Sequence, residues 1–253
     1  MIPVYLEQGR SRTFAVALDW PGWARSGKGD EGALEALAAY ADRFLPVARR
    51  TGLPVDFAPD DVTFEVVERV PGTPTTDFGA IDAVLGRDAD PVTAQEGERL
   101  ARCVEAAWAE LDQVATRTSA ELARGPRGGG RDRDPMLAHV LGAEQSYARK
   151  IGVAHQTPEV GDEPAIAAMR ADIAAMLRRP WQGEELGLGR GRSWPPRYAA
   201  RRLAWHVLDH AWEMQDKDLT GRCPAPPARG RRTAVRRVRA RAGPEGWRRR
   251  ARR

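Results

Sequence analysis

The feature that most limits how this chain can fold is a change in apolar spacing near residue 92. From there to about residue 217, apolar side chains recur at intervals of three and four, as in Leu100, Cys103, Val104, Ala107, Trp108 and Leu111. That interval lays them along one stripe of an α-helix. Four helices are expected, over about 92–122, 133–152, 162–179 and 195–217. The stretches GPRGGGRDRDP, GVAHQTPEVGDEP and RPWQGEELGLGRGRSWPP, rich in helix breakers, separate them. Consecutive apolar stripes joined in this way are buried by packing on one another, so a helix bundle is predicted for 92–220.

Before residue 92 the pattern is different. PVYLEQ and RTFAVALDW are short runs with β-branched and aromatic residues, and Phe14, Val16 and Leu18 alternate as one face of a strand does. The breakers WPGW and GKGD follow. Asp30 is placed to cap a helix running to about Arg50, with Leu34, Leu37, Ala38, Phe44 and Leu45 as its apolar stripe. VTFEVVERV (Val62–Val70) reads as another strand and PGTPTTDFGA as a loop. Residues 1–75 are therefore expected to form a small α/β unit, with 76–91 as linker, and the fold class is α+β.

Charge is unevenly placed. The 253 residues carry a formal +5, but Gly221–Arg253 contains 13 Arg, no Lys and one Glu. That tail is +12, which leaves −7 for residues 1–220. Its bias toward Arg, Pro, Ala and Gly predicts a disordered basic tail over 221–253. Nucleic acid is not an expected partner of the acidic body. It is expected only through the tail, where arginines would bind phosphate with strong salt dependence. Trp247 is the tail's one aromatic residue, so base stacking has little to work with. No apolar run approaches the roughly 18–20 residues of a membrane span. With Cys103 and Cys223 alone there is no disulfide framework, and the N-terminus lacks a signal-peptide pattern. A cytoplasmic protein without membrane association is expected.

The chemistry-bearing residues lie in the helical part. In AWHVLDHAWEMQD (Ala204–Asp216), His206 and His210 are four apart and share one helix face, extended by Ala199, Leu203 and Met214. In MLAHVLGAEQSYARKIG, His139 lies on the stripe of Met136, Val140, Ala143 and Tyr147. Two helices thus aim imidazoles at the bundle interior. Each buried ring N–H or lone pair left unsatisfied costs on the order of 1–3 kcal/mol. Ordinary core histidines with protein partners are one solution. The other is a divalent metal held by His139, His206 and His210, leaving coordination positions for water or substrate. The fourth histidine, His155, follows a breaker and is expected at the surface.

Around the three histidines, Asp209 and Glu213 are candidates to orient the imidazoles by accepting their second N–H, with a surface pairing to an Arg as the alternative for Asp209. Glu144 sits about 140° around its helix from His139. Tyr147 either donates its hydroxyl to a substrate or packs in the core. Trp205 and Trp212, one residue off the histidine stripe, are expected to fill a helix interface. The loop Gly125–Asp134 leads into the His139 helix. There Arg127 and Arg131, with glycine N–H groups and a helix N-terminus, would hold a carboxylate or phosphate of a bound cofactor. A plain connection is the alternative, and no Walker pattern is present.

With LAHVLGAEQSY and AWHVLDHAWEMQDKD, residues 92–218 resemble the DinB-like superfamily of four-helix bundles, which includes the YfiT-like metal-dependent hydrolases. The resemblance implies a divalent metal, zinc or nickel, on His139, His206 and His210. It also implies a small-molecule substrate and a low-molecular-weight thiol, as in the mycothiol- and bacillithiol-dependent transferases and isomerases. Residues 3–70 resemble the HicB-like antitoxin fold, through Asp19, Pro21, Gly22, Gly27, Glu35, Ala36 and Leu37. No helix-turn-helix or ribbon segment follows, so this unit reads as a docking or dimerising module, and a homodimer is an expected partner state. Three function classes result: a metal-dependent enzyme activating a thiol or water for transfer, isomerisation or hydrolysis; a non-catalytic metal-binding module; and an antitoxin-like interaction protein.

Overall fold

The short β-branched runs pair with one another. In the computed structural model, which describes residues 1–125, 130–188 and 193–221, β1 (Ile2–Gln8) and β2 (Thr13–Ala17) form an antiparallel hairpin. A third strand, β3 (Ala24–Gly27), pairs antiparallel with β2. ARSG has no apolar alternation, and nothing local announces it as a strand; it exists because the free edge of β2 takes it as a partner. Gly27 is required there, since a Cβ at that position would lie 2.1 Å from the Gly32 backbone. The chain then crosses over through α1 (Gly29–Ala39) and α2 (Ala41–Arg50) to β4 (Phe64–Pro71), which runs parallel to β1. A parallel pair needs such a crossover. The sheet order is β3-β2-β1-β4.

The single helix expected from Asp30 to Arg50 is two. Leu37's carbonyl, which an unbroken helix would give to the Ala41 N–H, instead accepts from the Trp23 indole at 3.0 Å and from Tyr40 N–H at 3.2 Å. The turn at Tyr40 lets Phe44 stack on the Trp23 ring, 5.0 Å between centroids. Lys28, not Asp30, is the N-cap of α1. Asp30 lies in the first turn, accepting from Gln8 and Arg69. Within PGTPTTDFGA, read as loop, α3 (Pro74–Phe78) forms because Thr73 and Thr76 exchange capping hydrogen bonds.

Both faces of the sheet are covered. Val4, Leu6, Ala15 and Ala17 join α1 and α2 in one apolar core. Tyr5, Phe14 and Val16 pack instead on Ile81, Leu85 and Trp205. The segment 76–91, expected as linker, is thereby tied to the sheet. The buried Glu7 carboxylate accepts from Thr76 Oγ1 at 2.5 Å and from the backbone N–H of Asp82 and Ala83. Burial pushes the Glu7 carboxyl above the usual carboxylate range.

The bundle consists of α4 (Ala94–Arg117), α5 (Arg133–Lys150), α6 (Glu163–Arg178) and α7 (Pro196–Lys217). Thr93 and Asp162 cap α4 and α6 with side-chain acceptors, and α7 starts on Pro196. α4 stops at Arg117 instead of continuing to 122, because Thr118 turns to extended geometry. α4 packs on α6 and α7, and α5 also packs on α6 and α7. The α5–α7 neighbourhood brings the histidine-bearing helices side by side. α7 is buried on most of its circumference, since its other flank meets the sheet. There Gly22 of the WPGW turn, at φ +99°, lies so close that an added Cβ would be 2.7 Å from Leu208 Cδ1. The described residues are thus a mixed α+β arrangement of seven α-helices and a four-stranded sheet. No helix among them is long and apolar enough to cross a membrane. The tail from 222 to 253, expected to be disordered, lies outside the described residues.

Candidate metal centre

His139 projects from the second turn of α5 toward His206 and His210 on α7. The ring centroids are 5.1 Å apart for His139 and His206, 5.0 Å for His139 and His210, and 4.6 Å for His206 and His210. One nitrogen from each ring lies within 4.8 Å of the others. Three imidazole nitrogens this close could share one divalent cation, which takes histidine nitrogen at about 2.0–2.1 Å. The donor set is neutral nitrogen, which suits zinc, nickel, cobalt and copper over magnesium or calcium. His206 supplies a second sign of fit, because its Nδ1 is buried with no hydrogen-bond partner among the described residues.

The electrostatics keep these rings ready to act as ligands. Burial, followed by the neighbouring His210, His139, Arg202 and Arg131, pushes the His206 pKa down to about 2. Burial and then His210 and Arg131 lower His139 in the same direction. Both are therefore neutral near pH 7, as ligation requires. His210 Nδ1 lies 3.1 Å from Glu213 Oε2, and Lys217 Nζ reaches the other Glu213 oxygen at 2.5 Å. The hydrogen bond from His210, reinforced by Lys217, pulls the Glu213 carboxyl down to about 2 against its burial. With a carboxylate at Nδ1, that nitrogen carries the proton and Nε2 keeps its lone pair for the cluster.

The structure thus brings His139, His206, His210 and Glu213 together. Asp209 goes elsewhere, to Arg25 of β3 at 2.8 Å. Tyr147 packs its ring 5.8 Å from His206 and 4.9 Å from Trp194. Glu144 is buried against Arg170 and Trp108 and is not part of the group. Trp205 and Trp212 fill the interface with the sheet unit, against Phe14 and Tyr40. His155 is partly exposed and pairs with Asp172. Arg131 is exposed, one residue before the α5 N-cap Asp132, and contributes positive potential at His139 and His206. Asp132 itself is engaged by Leu122 N–H and Arg124. Arg127 lies outside the described residues.

Sequence reasoning missed Arg202. Stepping back from His210 by fours gives His206, Arg202 and Tyr198, a polar stripe along one flank of α7. Arg202 is buried and donates to the Tyr147 hydroxyl at 3.3 Å. The spacing was legible; that a charged residue on it would be buried was not.

No protein-family model, no curated protein and no solved structure matches this chain. The functional reading accordingly rests on three imidazoles brought to one point by two helices.

Proposed function

We propose that the chain is a divalent-metal-dependent helix-bundle enzyme. His139, His206 and His210 hold the cation, and a small-molecule substrate reacts with a thiol or water activated beside it, as the DinB-like resemblance implies. The observation that carries this reading is the approach of one nitrogen from each of the three rings to within 4.8 Å of the others. When bound, zinc or nickel lowers the pKa of a coordinated water to roughly 7, or holds a thiol as thiolate.

The chain's own residues do the rest. Glu213 fixes the tautomer and orientation of His210, and Lys217 holds Glu213 in place. His206 and His139 stay unprotonated at neutral pH. With three protein ligands, positions remain for substrate, as in catalytic sites and unlike closed structural ones.

The test is elemental analysis of the full chain purified without a histidine tag and equilibrated with zinc. About one equivalent per chain is expected in the parent. His206→Ala should lose it while keeping its helical circular dichroism. A parent that holds no metal, or a variant that holds as much as the parent, contradicts the reading.

A further inference from the structure

The rows of side chains that flank the three histidines are built differently on the two helices. On α7, Asp209, Glu213 and Lys217 stand four apart and form the row next to His206 and His210. All three are charged and engaged. Asp209 meets Arg25 at 2.8 Å, and Lys217 meets Glu213 at 2.5 Å, whose other oxygen lies 3.1 Å from His210 Nδ1. On α5, His139, Ala143 and Tyr147 form one row, and Ala138, Gly142 and Ser146 form the row beside it. These last three are small and uncharged, with Ala138 and Ser146 exposed and Gly142 half-buried.

Gly142 is not there for want of room. A Cβ added to it would meet no atom of the described residues within 4 Å, whereas one added to Gly97 of α4 would lie 2.6 Å from the Leu177 carbonyl oxygen. Packing demands the glycine in α4 and not the one in α5. What Gly142 omits is a side chain that would lean toward the helix N-terminus and cover the turn holding Ala138 and His139. One flank of the His139 side chain is thereby left uncovered. The exposure of the rings runs the same way. His139 and His210 are half-buried, while His206 is 9 % exposed and its Nδ1 has no hydrogen-bond partner among the described residues. Water therefore reaches the group from the side of His139 and His210.

We propose that Gly142 is a specificity-determining position: it holds open the approach to the three histidines, and the group next to the substrate's reacting atom lies over it. The row of Ala138, Gly142 and Ser146 offers that group contact without charge. The substrate class is then a small molecule with a bulky uncharged group beside its reacting atom. The open flank itself needs only α5; the substrate half rests on the metal reading above.

Two arms on the full chain test these separately, with Gly142→Leu as the variant and Gly142→Ala as its control. Both replacements favour a helix over glycine, so neither is expected to disturb folding. In the first arm, metal-free protein is treated with diethyl pyrocarbonate and each histidine is followed by mass spectrometry. His139 should react at least fivefold more slowly in Gly142→Leu than in the parent and Gly142→Ala. The partly exposed His155 should react alike in all three. An equal rate for His139 in all three overturns the open flank. In the second arm, Co²⁺-loaded protein is titrated with azide and with benzenethiolate and read by visible absorption. Gly142→Leu should bind azide as the parent does and benzenethiolate at least tenfold more weakly. Equal weakening of both ligands, or of neither, overturns the size selection while the metal reading stands. A parent that takes up no Co²⁺ overturns the metal reading and the substrate half with it, and the open flank is then decided by the first arm.

Discussion

The two flanks of α7 treat buried charge in opposite ways. Toward the sheet and the 76–91 segment, the buried Arg201 is matched by Asp88, and the partly exposed Asp209 is matched by Arg25. Toward α5, among the described residues, Arg202 has no ion pair and His206 Nδ1 has no hydrogen-bond partner. Among the described residues, the neutral indole N–H groups of Trp205 and Trp212 also lack acceptors on the first flank, so its polar groups are not all satisfied. The charged groups are what separate the flanks. Charges paired inside the chain hold two parts of the protein together; toward α5 the guanidinium of Arg202 is held by a carbonyl and a hydroxyl instead of a carboxylate.

The largest expected effect lies on the paired flank. Asp88→Ala strands the Arg201 guanidinium, and the loss of one partner of a buried pair costs about 3–5 kcal/mol. Urea unfolding of the metal-free chain measures it. A loss below about 1 kcal/mol would show that the pairing across 113 residues of sequence is not what docks this segment.

How much of this contrast could be read in the sequence differs by element. The four bundle helices were legible because a 3.6-residue period repeats over many turns, and the histidine triad followed from that period. Phe14, Val16 and Leu18 gave one strand face correctly. β3 was not legible, because ARSG is a strand only through its neighbour. The break at Tyr40 was not either, since the Trp23 indole that captures Leu37's carbonyl is a tertiary contact. The Asp88–Arg201 pair, and the lack of an ion pair at Arg202 among the described residues, are invisible for the same reason: no local spacing records which distant side chain arrives.

The next effect is on the open flank and depends on pH. An unfolded imidazole takes a proton near 6.5, whereas folded His206 takes one only near pH 2. Between those values the unfolded state binds more protons, so stability falls as the pH drops, by at most about 1.4 kcal/mol per pH unit from this residue. Urea unfolding of the metal-free chain at pH 7.5, 6.5 and 5.5 should show the decline below pH 6.5. His206→Leu should flatten it. An unchanged slope in the variant would mean that the ring is not held neutral by burial.

The smallest effect sharpens the comparison. Arg202→Met removes a buried charge that has no ion pair among the described residues, along with two hydrogen bonds, so the metal-free stability should change by no more than about 1 kcal/mol. A loss as large as that of Asp88→Ala would place Arg202 with the structural pairs.

The central claim is that α5 and α7 contribute to the same cation. Titrating Co²⁺ into the metal-free chain and into His139→Ala, read by visible absorption, tests it most directly. The parent should bind one equivalent, with a spectrum that saturates at that point. The variant should bind at least tenfold more weakly with an altered spectrum. Identical affinity and spectrum in the two proteins would show that the α5 imidazole plays no part, and the candidate metal centre would fail.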